Sequence, residues 1–464
     1  MNRRIGIALI VVVVVLAYPA AAWLIGLSAE HAWQKREQTF VERVPYIQIA
    51  KREYHRGVYS STEEVTYRLA ANFARALRTR ALTGNASDLQ FIVRNTIHHG
   101  PLPQLQVFAP ATIDTQLVLP PEVSAKLKAV LGDKATLGVK TRLHWFGGST
   151  TTLHSPAFEQ SMADGTTLHW RGLEGTTNLD KDLASYKGNL TAPGLDVKSA
   201  QGKLTLDNLH FTADRKLTAF EGVYVGALDM TLDGLEIGQA TPARNITLRK
   251  VGLAGSSSVQ GEYIDMDGKV DAASLELAQF SVTQVGYEFR ATHLHGPSLA
   301  ALNKSFLALQ AGSTNTTPDL AKMQHVLKTD GVEILLRNPV FELPRIGFAM
   351  PEGVLLICVK ASFHGLTRNE IDGSPDEAKA AFVKHLQASA DVRIDTALLD
   401  KLLDSSGKGD RFTAQLQGLQ RQGYLKLDGK ALTTHVTYDG GQLQVNGLAF
   451  PGIGMPPPPP GGHP

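Results

Sequence analysis

Residues 202–214 read GKLTLDNLHFTAD: apolar and polar residues alternate, a polar step interrupts the alternation, and the alternation then resumes. A period of two is typical of a β-strand with one buried and one wet face. The pattern recurs, between turn-forming glycines, aspartates and asparagines, in ALDMTLDGLEIG, NITLRKVGLAG, GKVDAASLELAQFSV and YEFRATHLHG. We therefore predict a repetitive antiparallel β region over residues 187–296, built from many short strands with one apolar face.

The flanking segments combine strand and helix patterns. Residues 46–54 and 58–69 alternate around Arg56-Gly57, which predicts a hairpin. Residues 92–98 predict a strand that Gly100-Pro101 ends. Further strands are predicted over residues 331–347 and 353–365, and helices over residues 121–132, 297–310, 320–329, 374–386 and 395–407.

Together these patterns predict a mainly β fold with peripheral helices, a β-rich α+β chain. We expect an elongated, twisted antiparallel sheet behind a single N-terminal transmembrane helix, because neighbouring strands rotate by roughly 20 to 25° and a long sheet curls. The predicted segments are a signal-anchor helix (1–28), an N-terminal β-rich region with helices (29–186), the repetitive β region (187–296), a C-terminal α+β region (297–451) and a proline-rich disordered tail (452–464).

The N-terminus carries the predicted anchor. Arg3 and Arg4 precede an uncharged run of 23 residues, 5–27, longer than the ~20 residues that cross a bilayer as a helix. Ala20-Ala21-Ala22 also fits a signal-peptidase site, so cleavage after Ala22 stays open. The apolar continuation beyond that site favours an uncleaved anchor, and the two arginines favour a cytoplasmic N-terminus with the bulk of the chain on the other side.

Composition limits the functional classes. A net charge of +2 over 464 residues gives no basic excess for nucleic-acid binding. The single cysteine, Cys358, excludes an internal disulfide and a cysteine-cluster zinc site, and its apolar surroundings predict a buried strand residue. A nucleophilic role would need a histidine beside it, for which only His364 is near in sequence.

No catalytic signature is complete. SSGKGD lacks the glycine and hydroxyl residues of a phosphate loop. IDMDGKVD (264–271) and NLDKD (178–182) lack the spacing of a calcium loop, and we expect turns there. His293 and His295 form at most half of a metal site, and Glu63 and Glu64 face opposite sides of a strand. We therefore predict no catalytic, cofactor-binding or metal-ligating residue, no cofactor and no enzymatic activity.

Three stretches carry a family resemblance: the anchor, TIHHGPLP (96–103) and the ending GYLKLDGKALTTHVTYDGGQLQVNG (423–447). They resemble the YdgA-like proteins of Gram-negative bacteria, which are anchored in the inner membrane and have no assigned activity. The resemblance reaches from the anchor to about Pro451 and implies a single-pass inner-membrane protein with a periplasmic β-rich body. Its most specific residues are His99, Gly100, Pro101 and Leu102 in TIHHGPLP and Asn446 and Gly447 in the ending.

The glycine-punctuated repeats are also similar to AsmA-like envelope proteins, in which a curved sheet lines an apolar groove. We therefore expect a non-enzymatic envelope protein whose sheet contacts a lipid, an envelope polymer or a protein partner. Two alternatives stay open: a scaffold or assembly factor without a ligand, and a hydrolase or metal enzyme that uses His98 or His99 with Asp114. The sequence leaves the oligomeric state and the role of the proline tail undetermined.

Overall fold

The computed structural model describes residues 3–44, 47–69, 90–118, 124, 128, 137–239, 245–277, 280–312, 320–406 and 409–450. Within this part the chain is mainly β: 22 strands of a large, open antiparallel sheet, with few helices. This confirms the mainly β class. Contacts divide the chain into a first unit, Met1–Leu232 with Ala300–Leu327, and a second unit, Asp233–Leu299 with Lys328–Pro464.

The first half of the chain begins with one long helix and continues as strands. Its elements are α1 (Arg3–Arg43), β1 (Ile47–Arg56), β2 (Ser60–Leu69), β3 (Gln90–His99), β4 (Ala111–Val118), β5 (Gly138–Leu143), β6 (Ser149–Ser155), β7 (Phe158–Ser161), β8 (Thr167–Trp170), β9 (Leu173–Leu179), β10 (Ser185–Ser199), β11 (Gly202–Leu217) and β12 (Tyr224–Gln239). Antiparallel pairing joins β1 to β6 in chain order, then β6 to β9, β9 to β10 and β10 to β11.

The second half alternates strands with short helices. Its elements are β13 (Ile246–Gln260), β14 (Tyr263–Leu277), β15 (Phe280–His295), α2 (Gly296–Gly312), α3 (Leu320–Val326), α4 (Val332–Leu335), β16 (Val340–Met350), β17 (Gly353–Phe363), α5 (Arg368–Ile371), α6 (Pro375–His385), β18 (Leu386–Asp395), α7 (Thr396–Ser406), α8 (Gly409–Arg421), β19 (Lys426–Asp428), β20 (Ala431–Asp439), β21 (Gln442–Val445) and β22 (Leu448–Ala449). Strands β13 to β18 pair in chain order, and β18 then pairs with β20.

Strands β10 to β15 are long, 15 or 16 residues each, so the prediction of many short strands is wrong. The polar steps lie inside strands rather than between them. Asn208, Lys250 and Gln284 each have a positive φ of about 50° at such a step. A residue in this conformation re-aims the side chains that follow it, so the apolar positions change from even to odd numbers or back.

Two other predictions need correction. Residues 331–347 were expected to form one strand, but a π-helical segment, Leu327–Gly331, leads into α4 before β16 begins. Val332 and Ile334 of α4 are buried, and either a helix or a strand can bury two residues at this spacing. The hydrophobic pattern therefore did not distinguish a helix from a strand here. The predicted helix 121–132, except residues 124 and 128, and the proline-rich tail lie outside the described residues.

The C-terminal half of α1 packs on the sheet of the first unit. Ala29 lies in one buried apolar cluster with Ile97, Ala111, Ile113 and Leu143. Strands β3, β4 and β5 contribute these residues from one face, because alternate side chains of a strand point the same way. Helix α1 is therefore part of the hydrophobic core of this unit.

Within the described residues, no helix has the length and apolar character that crossing a membrane requires. The structure thus does not show α1 to be transmembrane. The side chains of residues 1–17 lie outside the described part, and the predicted anchor, residues 5–27, falls partly there.

His99 fastens α1 to the sheet. Its Nδ1 lies 2.9 Å from the carbonyl oxygen of Ala22, and its Nε2 lies 3.1 Å from Ser61 Oγ. Since a carbonyl only accepts, Nδ1 carries the proton and Nε2 accepts from the serine hydroxyl. One turn further along the helix, Gly26 lets the backbone approach the imidazole: an added Cβ would lie 2.7 Å from ring atoms Nδ1 and Cε1.

We expect Gly26→Ala to destabilise the first unit by about 1–3 kcal/mol, because the new methyl group overlaps the His99 ring and forces one of them to move. Urea unfolding followed by tryptophan fluorescence measures this. Gly188→Ala in β10 of the same unit, where an added Cβ meets no atom closer than 3.5 Å, is the control and should be neutral or slightly stabilising. Equal effects of the two substitutions would contradict the close approach.

Candidate functional site

The adjacent histidines of β3 point to opposite faces of the sheet. His99 is buried beneath α1, whereas His98 Nε2 lies 3.5 Å from Asp114 Oδ2 on β4. Asp114 Oδ1 lies 3.4 Å from Lys140 Nζ, and the aspartate is more than a third exposed. The structure thus brings together His98 and Asp114 of the enzyme alternative and separates His99 from them. A partly exposed pair of this kind is common on sheet surfaces.

The rings of the other histidine pair, His293 and His295, both lie against the ring of Tyr263. A register shift falls beside His293, whose φ is 60°, and its ring stacks on Tyr263 with 3.7 Å between centroids. His293 Nδ1 donates to the Arg337 carbonyl at 2.8 Å, while His295 Nδ1 lies 2.7 Å from Ser298 Oγ. Among the described residues, no group of three or more histidine, cysteine or acidic side chains could hold a metal ion.

The remaining candidates fit structural roles. Cys358 lies in strand β17 as predicted, but it is half-buried and not buried, with its Sγ 3.1 Å from the carbonyl oxygen of Pro344. His364 Nε2 lies 3.0 Å from Ser362 Oγ. Asp180 caps a short helical turn at Lys181–Leu183, as expected for NLDKD. The turn expected within residues 264–271 is wrong, because these residues lie inside β14. SSGKGD lies partly outside the described residues.

A buried ionic cluster lies under α1. Glu63 of β2 is 1% exposed and accepts hydrogen bonds on Oε2 from Trp33 Nε1 at 2.8 Å and Asn95 Nδ2 at 2.9 Å. Arg52 Nε lies 3.5 Å from Glu63 Oε1, and the same guanidinium pairs with Glu37 of the helix. Because its carboxylates already have partners within the chain, the cluster fixes α1 on the sheet rather than presenting an acid or base to a substrate.

Tyr67 belongs to this cluster, whereas Glu64, the sequence neighbour of Glu63, does not. Tyr67 donates to Glu37, and burial together with the charge of Glu63 raises the pKa of Tyr67 to about 12. Glu64 points to the other face, where Arg94 binds it at 2.9 Å. The expectation that Glu63 and Glu64 face opposite sides is confirmed. The sequence signal that was missed is the polar residue Glu63 on the face of β2 that otherwise carries Val65 and Tyr67.

His99 gives the first unit a pH dependence. Burial lowers the pKa of His99, so the folded chain holds the ring neutral. Because the unfolded chain protonates first, near pH 6.5, stability is complete above that pH and falls as the pH drops toward the folded pKa.

We therefore expect the wild-type first unit to lose stability between pH 7.5 and pH 5.5. His99→Asn should be less stable than wild type at pH 7.5, because the contact with the Ala22 carbonyl is weakened, and should show a smaller acid loss. Urea titrations at the two pH values measure both effects. His98→Asn, on the opposite face, is the control and should keep the wild-type acid loss; an unchanged loss in His99→Asn would contradict the assignment.

The second unit presents a different surface, a row of apolar side chains across six paired strands. We call it the apolar row: Leu253 (β13), Val270 (β14), Tyr287 (β15), Ile346 (β16), Ile357 (β17) and Val392 (β18). Each residue is the direct cross-strand partner of the next. Val270 and Tyr287 are each 43% exposed, and the other four are half-buried.

Neighbouring rows widen this apolar surface. On one side lie Phe348, Leu355 and Ile394, and on the other Leu343, Val359 and Ala390, again as direct cross-strand partners. The register shift between Leu343 and Ile346 keeps both residues on one face, because β16 has one extra residue there relative to β17. The result is an apolar area three rows deep over β16 to β18.

The opposite face of the same strands is charged. Asp267, Arg290, Glu342 and Lys360 are successive cross-strand partners. Glu342 lies 3.7 Å from Arg290 and 2.9 Å from Lys360. Opposite charges in direct register stabilise a solvated sheet face. The sheet of the second unit is thus two-sided, as expected from the alternation, and its apolar side is incompletely covered by the described residues.

The first unit also has a cavity of about 340 Å³ between α1 and the turns at residues 144–148 and 181–183. Two basic side chains that line it are engaged by the chain itself. Lys35 Nζ lies 3.1 Å from Asp182, and Arg36 donates to the carbonyl of Asp180 at 3.4 Å. Burial lowers the pKa of Arg36. These two basic side chains of the cavity lining thus already bind groups of the chain itself. The apolar row is therefore the stronger candidate for a ligand-binding surface.

A family model described as "Bacterial protein of unknown function (DUF945)" matches residues 1–451. No curated protein and no solved structure matches the chain.

Proposed function

We propose that this chain, which belongs to the DUF945 family of bacterial proteins of unknown function, is a non-enzymatic, membrane-anchored envelope protein. Its open sheet face would hold lipid acyl chains. The observation that carries this proposal is the apolar row, with Val270 and Tyr287 each 43% exposed at its centre. Large apolar side chains side by side on a sheet surface are uncommon unless the surface has a partner.

The dimensions of the apolar row fit an acyl chain. Six strands about 4.8 Å apart span about 24 Å from the first strand to the last. One leaflet of a bilayer with a hydrocarbon core of ~30 Å is about 15 Å deep, so the row is long enough for a lipid chain lying across the strands. The charged row on the other face explains why only one face would take an apolar ligand.

The proposed membrane anchor is the uncharged run 5–27, which would cross the membrane once. The N-terminus would then lie in the cytoplasm and the bulk of the chain in the periplasm. The contacts of α1 support retention of the helix. Ala22 is fully buried and its carbonyl accepts the hydrogen bond of His99, so cleavage after Ala22 would cut the chain inside the helix–sheet contact. The inner membrane is the location that the resemblance to YdgA-like proteins implies.

The test is native mass spectrometry of the full chain extracted in a mild detergent. We expect at least one phospholipid to remain bound when detergent exchange has removed the loosely held lipid. A chain free of phospholipid that instead crosslinks to one protein in stoichiometric amount would favour the scaffold alternative. A hydrolytic activity that His98→Ala abolishes would favour the enzyme alternative, because the structure brings His98 to Asp114.

A further inference from the structure

Exposed apolar side chains collect at three loop tips of the first unit. We call this set the loop rim: Val58 and Tyr59 between β1 and β2, Leu102, Leu105 and Phe108 between β3 and β4, and Trp145 and Phe146 between β5 and β6. Leu105, Phe108 and Phe146 are 75%, 71% and 96% exposed. Such side chains gain nothing from folding in water, so their concentration at one place needs a physical reason.

Contacts place the loop rim in one continuous band beside α1. The ring of Tyr59 lies 6.1 Å from the ring of Tyr18, and the Tyr18 hydroxyl donates to the Leu102 carbonyl at 2.8 Å. Phe108 and Trp145 have ring centroids 5.3 Å apart. The three tips are therefore neighbours, and the first two meet the helix at Tyr18, inside its long apolar run.

The same part of α1 has exposed apolar residues of its own. Trp23 and Leu24 are 44% and 60% exposed, whereas Ala22 and Gly26, on the side that meets His99, are buried. The helix is thus apolar on both sides here. One side contacts the body of the first unit and the other faces outward.

The length of the apolar run in α1 determines how close to the membrane the loop rim would lie. Among the residues whose side chains the structure describes, contact with the body begins at Tyr18, and the residues 5–17 of the apolar run measure about 20 Å as a helix at 1.5 Å per residue. A bilayer core of ~30 Å requires about 20 helical residues, which from residue 5 reaches Leu24. A spanning helix therefore draws residues 18–24, and the loop tips fastened to them, down to the membrane surface.

We propose that the loop rim inserts into the interfacial layer of the bilayer that α1 enters, so that the first unit sits on the membrane instead of hanging from a free tether. This inference rests on the proposed anchor. Aromatic residues favour the interfacial layer because an amphipathic ring fits between headgroups and acyl chains, and three tips that carry aromatic residues lie together beside one helix here. The hydrogen bonds of Tyr18 and His99 keep the tips at a fixed depth relative to the helix.

The experiment measures the depth of a label on the full chain in vesicles of phosphatidylethanolamine and phosphatidylglycerol. Cys358→Ser removes the only native thiol, and Leu105→Cys places an environment-sensitive fluorophore on the loop rim. Asp164→Cys, on the exposed turn between β7 and β8 of the same unit, is the matched control. Lipids with a quencher near the headgroup should quench the label at position 105 several-fold more strongly than the label at position 164.

Flotation of the same samples tests the membrane anchor separately from the insertion of the loop rim. A chain that floats with the vesicles and shows equal quenching at both positions overturns the loop-rim inference and leaves the anchor standing. A chain that stays at the bottom of the gradient contradicts the anchor, and the inference falls with it. A floating chain whose quenching is confined to position 105 supports both.

Discussion

Arg52→Ala should lower the free energy of unfolding of the first unit by about 3–5 kcal/mol, because it leaves two buried carboxylates without their cation. Glu37 and Glu63 are 7% and 1% exposed, and Arg52 lies against both. Trp33 and Asn95 still donate to Glu63 in the variant, but neither carries a charge. The two carboxylates are then left in a poorly hydrated place without a compensating positive charge, which costs stability.

The measurement is urea unfolding at pH 7.5 followed by tryptophan fluorescence. All four tryptophans, Trp23, Trp33, Trp145 and Trp170, belong to the first unit, so the signal reports that unit alone. Arg94→Ala is the matched control: its partner is Glu64, the sequence neighbour of Glu63, on an exposed pair. We expect that control to cost less than about 1 kcal/mol. Equal losses in the two variants would show that the cluster under α1 does not hold the helix.

The second large effect concerns the apolar row. Tyr287→Asp and Val270→Asp should each lower the amount of bound phospholipid at least about tenfold, because a carboxylate removed from water by an acyl chain costs more than the 1.4 kcal/mol that a tenfold change requires. Both residues are 43% exposed, so the fold should tolerate either substitution when no lipid is present. Native mass spectrometry of the full chain gives the occupancy.

Lys269→Asp is the control for these variants. It introduces the same carboxylate beside Val270 on the charged face, at the expense of an exposed ion pair with Asp271 at 3.0 Å. Phospholipid occupancy should remain at the wild-type level in this variant. A parallel loss of lipid in Lys269→Asp and Tyr287→Asp would mean that a change in charge, and not contact with the apolar row, controls the bound lipid.

The sequence pattern was sufficient for the class of fold and for the two-sidedness of the sheet. Alternation over residues 202–214 and its repeats requires strands with one apolar face, and β11 and β13 to β15 have that form. Strand lengths were not predictable in the same way. A polar residue such as Asn208 is equally suited to a turn between strands and to a left-handed position inside one, and only pairing with a neighbouring strand decides between them.

The contact between α1 and the sheet could not be predicted from the sequence, for a different reason. Glu37, Arg52 and Glu63 belong to three elements, and each alone resembles an ordinary surface charge. Their meeting depends on how α1 lies on β1 and β2, which no local pattern encodes. The motif TIHHGPLP was correctly interpreted as a strand end with a turn, but its second histidine proved to bind the helix.

The most direct test of the central proposal is photo-crosslinking of the full chain in membranes that contain a phospholipid with a photoactivatable acyl chain, followed by peptide mapping. We expect adducts on β14 to β17 at and beside Val270, Tyr287, Ile346 and Ile357, and fewer of them in Tyr287→Asp. Adducts confined to α1 and the loop rim, with none on these strands, would contradict it.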